Sequence, residues 1–106
     1  MLTYAARATA VVVNLGTDSA TDVAAFSGIE SFVGSTAATD TLTGEDDSNV
    51  WTVNGAGSGN VDGIQFTGFE ELIGGSDADT FDIDASLLGS NSVFSGGAGD
   101  DTFNLV

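Results

Sequence analysis

Two glycine-rich segments of the chain carry aspartates at a close and similar spacing. They read GGSDADTFD at residues 74–82 and GGAGDDTFN at residues 96–104. Carboxylates and peptide carbonyls are the oxygen ligands that Ca²⁺ prefers in proteins. These segments therefore offer the ligand types of a calcium site, with carboxylates at Asp77, Asp79, Asp100 and Asp101 and glycine carbonyls at Gly75, Gly97 and Gly99.

The same aspartates have a second interpretation that needs no metal. Aspartate in a turn commonly accepts hydrogen bonds from backbone N–H groups, so Asp79 and Asp101 could each cap a turn in this way. The acidic run at 45–47 is read first as a solvated loop tip and second as a metal site. In the related segment GEDDSNVWT, residues 44–52, Asn49 stands where an aspartate is expected. Both interpretations remain open from the sequence alone.

The residue types exclude the common catalytic arrangements. The chain has no His, Cys or Lys, so nucleophile–base pairs of the usual kinds cannot be built. Glu30 and Glu70 could pair with backbone donors, but neither has a catalytic partner. A two-carboxylate glycosidase is formally possible, although no inserted loop or aromatic cleft is evident. We expect a protein that is not an enzyme.

Net charge is the property in which this composition departs most from that of an ordinary globular protein. The 106 residues include 16 Asp or Glu against a single basic residue, Arg7, which gives a net charge of −15. The folded chain therefore bears self-repulsion unless cations relieve it. Nothing here could neutralise phosphates, so nucleic acid and anionic membrane surfaces are excluded as partners. No stretch is long enough for membrane insertion, and the absence of cysteine excludes disulfides.

The chain repeats itself at a shift of 40 residues, with ten identities between residues 2–38 and 42–78. A repeat of this length is typical of stacked architectures. We predict a single domain over 1–106, with repeat 1 at about 2–41, repeat 2 at about 42–80 and a partial repeat at 81–106.

The elements that must position the aspartates are predicted to be strands. Segments such as NVWTVNG and DTFDID are short, rich in β-branched and aromatic residues, and bounded by Gly, Asn and Asp. The repeat favours an all-β fold, a right-handed parallel β-solenoid, over a β-sandwich. In that solenoid Phe26 and Phe66 should occupy equivalent inward positions, as should Val13 and Val53.

The segments FSGIESFVGSTAATDTLTG (26–44) and FTGFEELIGGSDADTFDI (66–83) resemble modules of RTX-type, haemolysin-like calcium-binding repeat proteins of bacteria. GGAGDDTFN fits the calcium-binding nonapeptide of that family at every position, whereas GGSDADTFD has Asp77 in place of a glycine. The resemblance implies type I secretion, an extracellular or cell-surface location, and Ca²⁺ as a cofactor enclosed between adjacent turns. By that resemblance we expect the carboxylates of Asp101 and Asp100 first, and of Asp79 and Asp77 second, to bind Ca²⁺ together with carbonyls of Gly75, Gly97 and Gly99. The two motifs are 22 residues apart rather than nine, which predicts that they lie on different coils.

Two functional hypotheses follow from these features. The first is a structural, calcium-stabilised extracellular module of a bacterial surface fibre, filament or adhesin. Its expected partner is itself, by head-to-tail stacking or by continuation within a longer repeat chain. The alternative is a surface- or carbohydrate-binding module of a secreted RTX-like protein, which would use its exposed strand face.

Overall fold

Twelve short β-strands in two sheets form nearly all of the regular structure. The computed structural model describes residues 1–23, 25–37, 39–87 and 92–106. Within these ranges the only helical turn is the 3-10 turn Ala85–Leu87. No helix in the described ranges is long and apolar enough to cross a membrane. The strands are β1 Leu2–Thr3, β2 Val12–Asn14, β3 Ser19–Ala20, β4 Ser31–Val33, β5 Thr41–Thr43, β6 Val50–Gly55, β7 Ser58–Val61, β8 Ile64–Thr67, β9 Glu71–Ile73, β10 Thr80–Ile83, β11 Val93–Ser95 and β12 Thr102–Leu105.

Both sheets mix parallel and antiparallel strands. The seven-stranded sheet has the order β1-β4-β8-β7-β6-β10-β12, and the five-stranded sheet has the order β11-β9-β5-β2-β3. Seven of the described strand pairs are parallel, whereas β2–β3, β6–β7 and β7–β8 are antiparallel. The principal extents are 32 × 28 × 20 Å. The predicted right-handed parallel β-solenoid is therefore wrong, because the chain forms a compact body with mixed sheets.

A tight hairpin explains much of this departure. Val61 of β7 lies opposite Ile64 of β8, so Asp62 and Gly63 form a two-residue turn. Their φ angles are 49° and 86°, and a type I′ hairpin turn needs positive φ at both positions and favours Asp-Gly. The hairpin places β7 and β8 between β4 and β6 in the seven-stranded sheet. A purely parallel stack is interrupted there.

Segments that are equivalent by the sequence repeat lie in opposite sheets. β2 belongs to the five-stranded sheet, whereas β6, 40 residues later, belongs to the seven-stranded sheet. Val13 and Val53 are consequently both buried, but in different sheets. The division of the single domain into repeats stays a prediction.

Apolar side chains from both sheets meet in one hydrophobic core. Phe66 is buried and lies opposite Phe32, whereas Phe26 is only partly buried and lies outside the strands. The predicted equivalence of Phe26 and Phe66 is therefore wrong. The buried apolar residues are Val11, Val13, Leu15, Phe32, Leu42, Trp51, Val53, Val61, Phe66, Phe69, Leu72, Phe81 and Ile83.

A stack of three aromatic rings joins β6, β10 and β12. The ring centroids of Trp51 and Phe81 are 5.2 Å apart and those of Phe81 and Phe103 are 4.8 Å apart, with interplanar angles of 10° and 9°. Strand register places each ring opposite the next. Each ring comes two residues after a polar turn residue, so the stack fixes how three turns lie on one another.

Candidate cation site

Three polar residues lie side by side where the chain enters β6, β10 and β12. They are Asn49, Asp79 and Asp101, each the residue directly before its strand. The parallel register pairs the first residues of these strands, Val50 with Thr80 and Thr80 with Thr102. The three turns therefore stack along one edge of the seven-stranded sheet.

One oxygen of each aspartate caps the neighbouring turn. Asp101 Oδ1 accepts a hydrogen bond of 2.9 Å from the backbone N–H of Asp79. Asp79 Oδ1 accepts one of 2.8 Å from the backbone N–H of Asn49 and one of 2.9 Å from Asn49 Nδ2. Both aspartates accept backbone N–H groups as the capping interpretation expected, but from the preceding turn rather than from their own.

Glycines leave room for the side chains to fold back over their own turns. A Cβ atom on Gly74 would overlap Asp79 Oδ2 and the carbonyl oxygen of Gly96. A Cβ atom on Gly44 would lie 2.5 Å from the Gly74 carbonyl oxygen and 2.8 Å from Asn49 Nδ2. Both glycines come five residues before the turn residue that fills the space. Asn49 Nδ2 fills the space beside Gly44, and Asp79 Oδ2 fills the equivalent space beside Gly74 in the next turn.

Asn49 Oδ1 and Asp79 Oδ2 are both buried without a hydrogen-bond partner in the described residues, and of the two only Asp79 Oδ2 belongs to a carboxylate. Asp79 is 1% exposed, and its Oδ2 has no hydrogen-bond partner in the described part of the chain. Leaving a buried polar atom unsatisfied costs about 1–3 kcal/mol, and more for a charged group. Either a hydrogen-bond donor or a cation would satisfy such an oxygen.

The other predicted ligands lie around this position at different depths. Asp101 is partly buried, and its Oδ2 lies against Gly96, whose missing Cβ makes the space. Asp77 and Asp100 are exposed. Neither residue is therefore buried as Asp79 is.

The three glycines predicted to supply carbonyl ligands, Gly75, Gly97 and Gly99, belong to two turns whose backbones are in contact. Gly97 packs against the carbonyl oxygen of Gly75, and Gly99 against that of Asp77. The Gly75 carbonyl already accepts a hydrogen bond of 3.0 Å from the N–H of Ala98. A carbonyl oxygen has two lone pairs, so this bond leaves one available to a cation.

Acidic side chains do not converge in threes anywhere in the described ranges. A cation at Asp79 would therefore depend on backbone carbonyls as well as carboxylate oxygen, a mixture that Ca²⁺ accepts in its shell of six to eight oxygens. The residues present fit a calcium ion in chemistry, with Asp79 as the buried anchor. The acidic run at 45–47 is exposed. This exposure agrees with its interpretation as a solvated loop tip.

A second set of polar turns precedes the five-stranded sheet, and sequence reasoning missed most of it. Asp40 is fully buried, and its Oδ1 accepts a hydrogen bond of 2.8 Å from the N–H of Val11. Its Oδ2 accepts 2.7 Å and 2.9 Å bonds from the N–H and hydroxyl of Ser35. Glu70 Oε1 accepts the N–H of Asp40 at 3.0 Å, which confirms that Glu70 pairs with a backbone donor. The signal in the sequence was DTL at 40–42, which matches DTF at 79–81.

Two titratable groups outside these turns have shifted pKa values. Burial, and secondarily the charge of Asp22, raises the pKa of Tyr4 above its usual 10.0, with Arg7 opposing the shift. The Tyr4 hydroxyl donates to the carbonyl of Thr21 at 2.5 Å. The pKa of Asp84 is lowered because the backbone N–H and the hydroxyl of Ser86 donate to its carboxylate.

A polar cavity of about 290 Å³ lies on the seven-stranded sheet at β4, β6, β7 and β8. Its lining includes no charged side chain, although the chain as a whole is strongly acidic. Gly59 and the buried Phe66 contribute the rest of its surface. The hydrogen-bonding side chains around it are Ser31, Asn54, Ser58, Asn60, Gln65 and Thr67.

Comparison with known proteins adds no relative: no family model, no curated protein and no solved structure matches the chain.

Proposed function

We propose that the chain is a structural, calcium-stabilised module of a bacterial surface protein, such as a fibre or an adhesin. The observation that carries this proposal is Asp79 Oδ2, a buried carboxylate oxygen without a donor. Calcium bound there would tie the turn before β10 to the turn before β12. The module would then be rigid where calcium is present and looser where it is absent.

Net charge and residue types support calcium as the cation. With a net charge of −15, a bound divalent ion relieves self-repulsion as well as filling the site. The available ligands are all oxygens, which favours a hard cation. The extracellular location is proposed from the resemblance to RTX-type repeats, and extracellular calcium modules work at dissociation constants of about 10⁻⁴–10⁻³ M.

Thermal unfolding of the wild type and of Asp79→Asn tests this proposal. At a calcium concentration about 100 times the dissociation constant, binding adds about 2.7 kcal/mol of stability, or roughly 10 °C in the unfolding midpoint. Asp79→Asn should lose most of this rise. In chelator the variant should unfold at a higher temperature than the wild type, because its amide can donate where the carboxylate oxygen has no partner.

Asp18→Asn is the matched control, since Asp18 is exposed and lies outside both glycine-rich segments. It should keep the calcium response of the wild type. Equal responses in the wild type and Asp79→Asn would contradict the proposed site. A wild type whose midpoint does not rise in about 10–100 mM calcium, roughly 100 times the dissociation constants of extracellular modules, would contradict the proposed function altogether.

We further propose that copies of the module, or successive repeats of a longer chain, add head to tail at β12. This strand is at the end of the seven-stranded sheet, with Phe103 and Leu105 46% and 59% exposed. An open strand edge is a template for another strand. Light scattering across a calcium titration tests it, and Leu105→Lys should reduce association. A protein that stays monomeric and folded in millimolar calcium would contradict it.

The polar cavity favours a second candidate function, binding of a neutral carbohydrate. Amides and hydroxyls can pair with sugar hydroxyls as donors and acceptors, and a few such groups fix the orientation of a ligand. Calorimetry with soluble neutral oligosaccharides tests this candidate. Binding should weaken in Gln65→Ala and persist in Asp18→Asn, and absence of binding to every neutral oligosaccharide would contradict it.

A further inference from the structure

Four oxygen atoms surround the side-chain nitrogen of Asn49. The carbonyl oxygens of Glu45, Asp47 and Gly74 lie 2.9, 2.8 and 3.0 Å from Nδ2, and Asp79 Oδ1 lies 2.9 Å from it. Two of the oxygens come from the turn of Asn49 itself and two from the next turn. Asn49 is 1% exposed, so its side chain is closed to water, although Glu45 and Asp47 themselves are exposed.

This arrangement exceeds what an amide requires. A carboxamide nitrogen has two hydrogens and can satisfy two acceptors well, yet four are within reach. An atom surrounded by carbonyl and carboxylate oxygens from two successive turns has the surroundings of a bound cation. Asn49 Oδ1, in contrast, is buried without a partner. The side chain is therefore held by its nitrogen.

We propose that the Asn49 carboxamide stands in for a cation and lets the turn at 44–49 close without metal. The nitrogen supplies positive charge density where a divalent ion would otherwise link this turn to the turn of Asp79. Asn49 thereby sets the number of ions that the chain binds. The proposal extends the proposed function from Asp79 to the neighbouring turn.

Replacing Asn49 Nδ2 with an oxygen atom is expected to create a new metal site. In Asn49→Asp an oxygen would face the same four oxygens, and the only donor left to them would be the backbone N–H at position 49, which bonds Asp79 Oδ1. Repulsion would open the turn unless a cation lay among the oxygens. The variant should therefore depend on calcium for folding and should bind one more calcium ion per chain than the wild type.

Calorimetric titration of metal-depleted protein with calcium, together with unfolding in chelator and in millimolar calcium, tests this inference. Asn49→Asp should gain one ion, unfold at a lower temperature than the wild type in chelator, and recover in calcium. Asn54→Asp is the control, because Asn54 is exposed on the following strand and the substitution adds the same charge. It should gain no ion.

The outcomes separate this inference from the proposed function. If the wild type binds no calcium but Asn49→Asp binds one ion, the inference holds and the site at Asp79 fails. A wild type that binds calcium and an Asn49→Asp variant with no additional ion would overturn the inference alone. An Asn49→Asp chain that stays unfolded in millimolar calcium would also overturn it, and so would one as stable in chelator as the wild type.

Discussion

Asn49 and Asp79 occupy equivalent positions in two stacked turns, but their side chains meet different surroundings. Each follows a glycine by five residues and directly precedes a strand of the same sheet. Around Asn49, four oxygens converge on a nitrogen that can donate to them. In the next turn the corresponding atom is Asp79 Oδ2, which no donor reaches. The two turns therefore differ in whether a donating nitrogen or an unsatisfied oxygen fills the space beside the glycine.

Asp40 shows a third way of satisfying the same kind of turn. It is as deeply buried as Asp79, yet Ser35 and Val11 donate to both of its carboxylate oxygens. Ser35 follows Gly34, whereas the residue that follows Gly74 is Gly75, which has no hydroxyl to donate. Ser35 gives Asp40 both an N–H and a hydroxyl donor, whereas no donor in the described residues reaches Asp79 Oδ2.

Removing the aromatic stack should have the largest effect, because it holds both turns in register. Phe81 is fully buried between Trp51 and Phe103. Phe81→Ala should lower the free energy of unfolding by about 3–5 kcal/mol, the range for emptying a large core site. Denaturant unfolding followed by Trp51 fluorescence measures it. Phe103→Ala, at a half-exposed position, should cost less, and equal losses would mean that the stack does not organise the turns.

Alanine substitutions at Gly74 and Gly44 should distinguish the two turns, because calcium should stabilise the two variants to different extents. Gly74→Ala and Gly44→Ala should each destabilise the fold by about 1–3 kcal/mol, because a Cβ at either position has no room. Only Gly74→Ala displaces Asp79 Oδ2, so only this variant should lose its stabilisation by calcium. Thermal unfolding with calcium and with chelator measures both effects. If Gly44→Ala lost its stabilisation by calcium to the same extent as Gly74→Ala, the proposed difference between the two turns would be contradicted.

The smallest effect is expected at Tyr4, which serves as an internal reference outside the stacked turns. Its pKa is raised above 10.0 in the folded chain, so its contribution to stability is complete below about pH 10 and is lost as pH rises through the folded pKa. Since Tyr4 is the only tyrosine, absorbance of the phenolate follows it alone. The folded midpoint should exceed that of the urea-unfolded chain, with or without calcium. A midpoint that moved with calcium would show that the ion acts beyond the stacked turns.

The sequence predicted the strands and the polar turns better than their arrangement. The β-branched and aromatic content of short segments such as DTFDID, bounded by Gly, Asn and Asp, identified β10, since such composition is a local property. The parallel stack was the wrong inference. Asp62-Gly63 is a recognised hairpin signal, but the strength of the repeat argued against a reversal of direction at that point. Which sheet takes each equivalent segment depends on packing between distant strands, and no local pattern encodes it.

The candidate site was predicted in part. The motifs indicated Asp79 and Asp101, but full agreement with the nonapeptide favoured Asp101, which is only partly buried. Asp79 is the more deeply buried because β6 and β12 cover β10 on both sides, a consequence of long-range pairing. Asn49 was noted as a departure from the motif, yet its role depends on the four oxygens around it, and these become neighbours only in the fold.

Direct measurement of calcium binding by calorimetry, in the wild type and in Asp79→Asn, tests the central claim that Asp79 anchors a calcium ion. The substitution keeps the shape of the side chain and removes the oxygen that lacks a donor. The account predicts that the wild type binds calcium and that Asp79→Asn binds one ion fewer, while Asp18→Asn binds as the wild type does. Equal stoichiometry and affinity in the wild type and Asp79→Asn would contradict it.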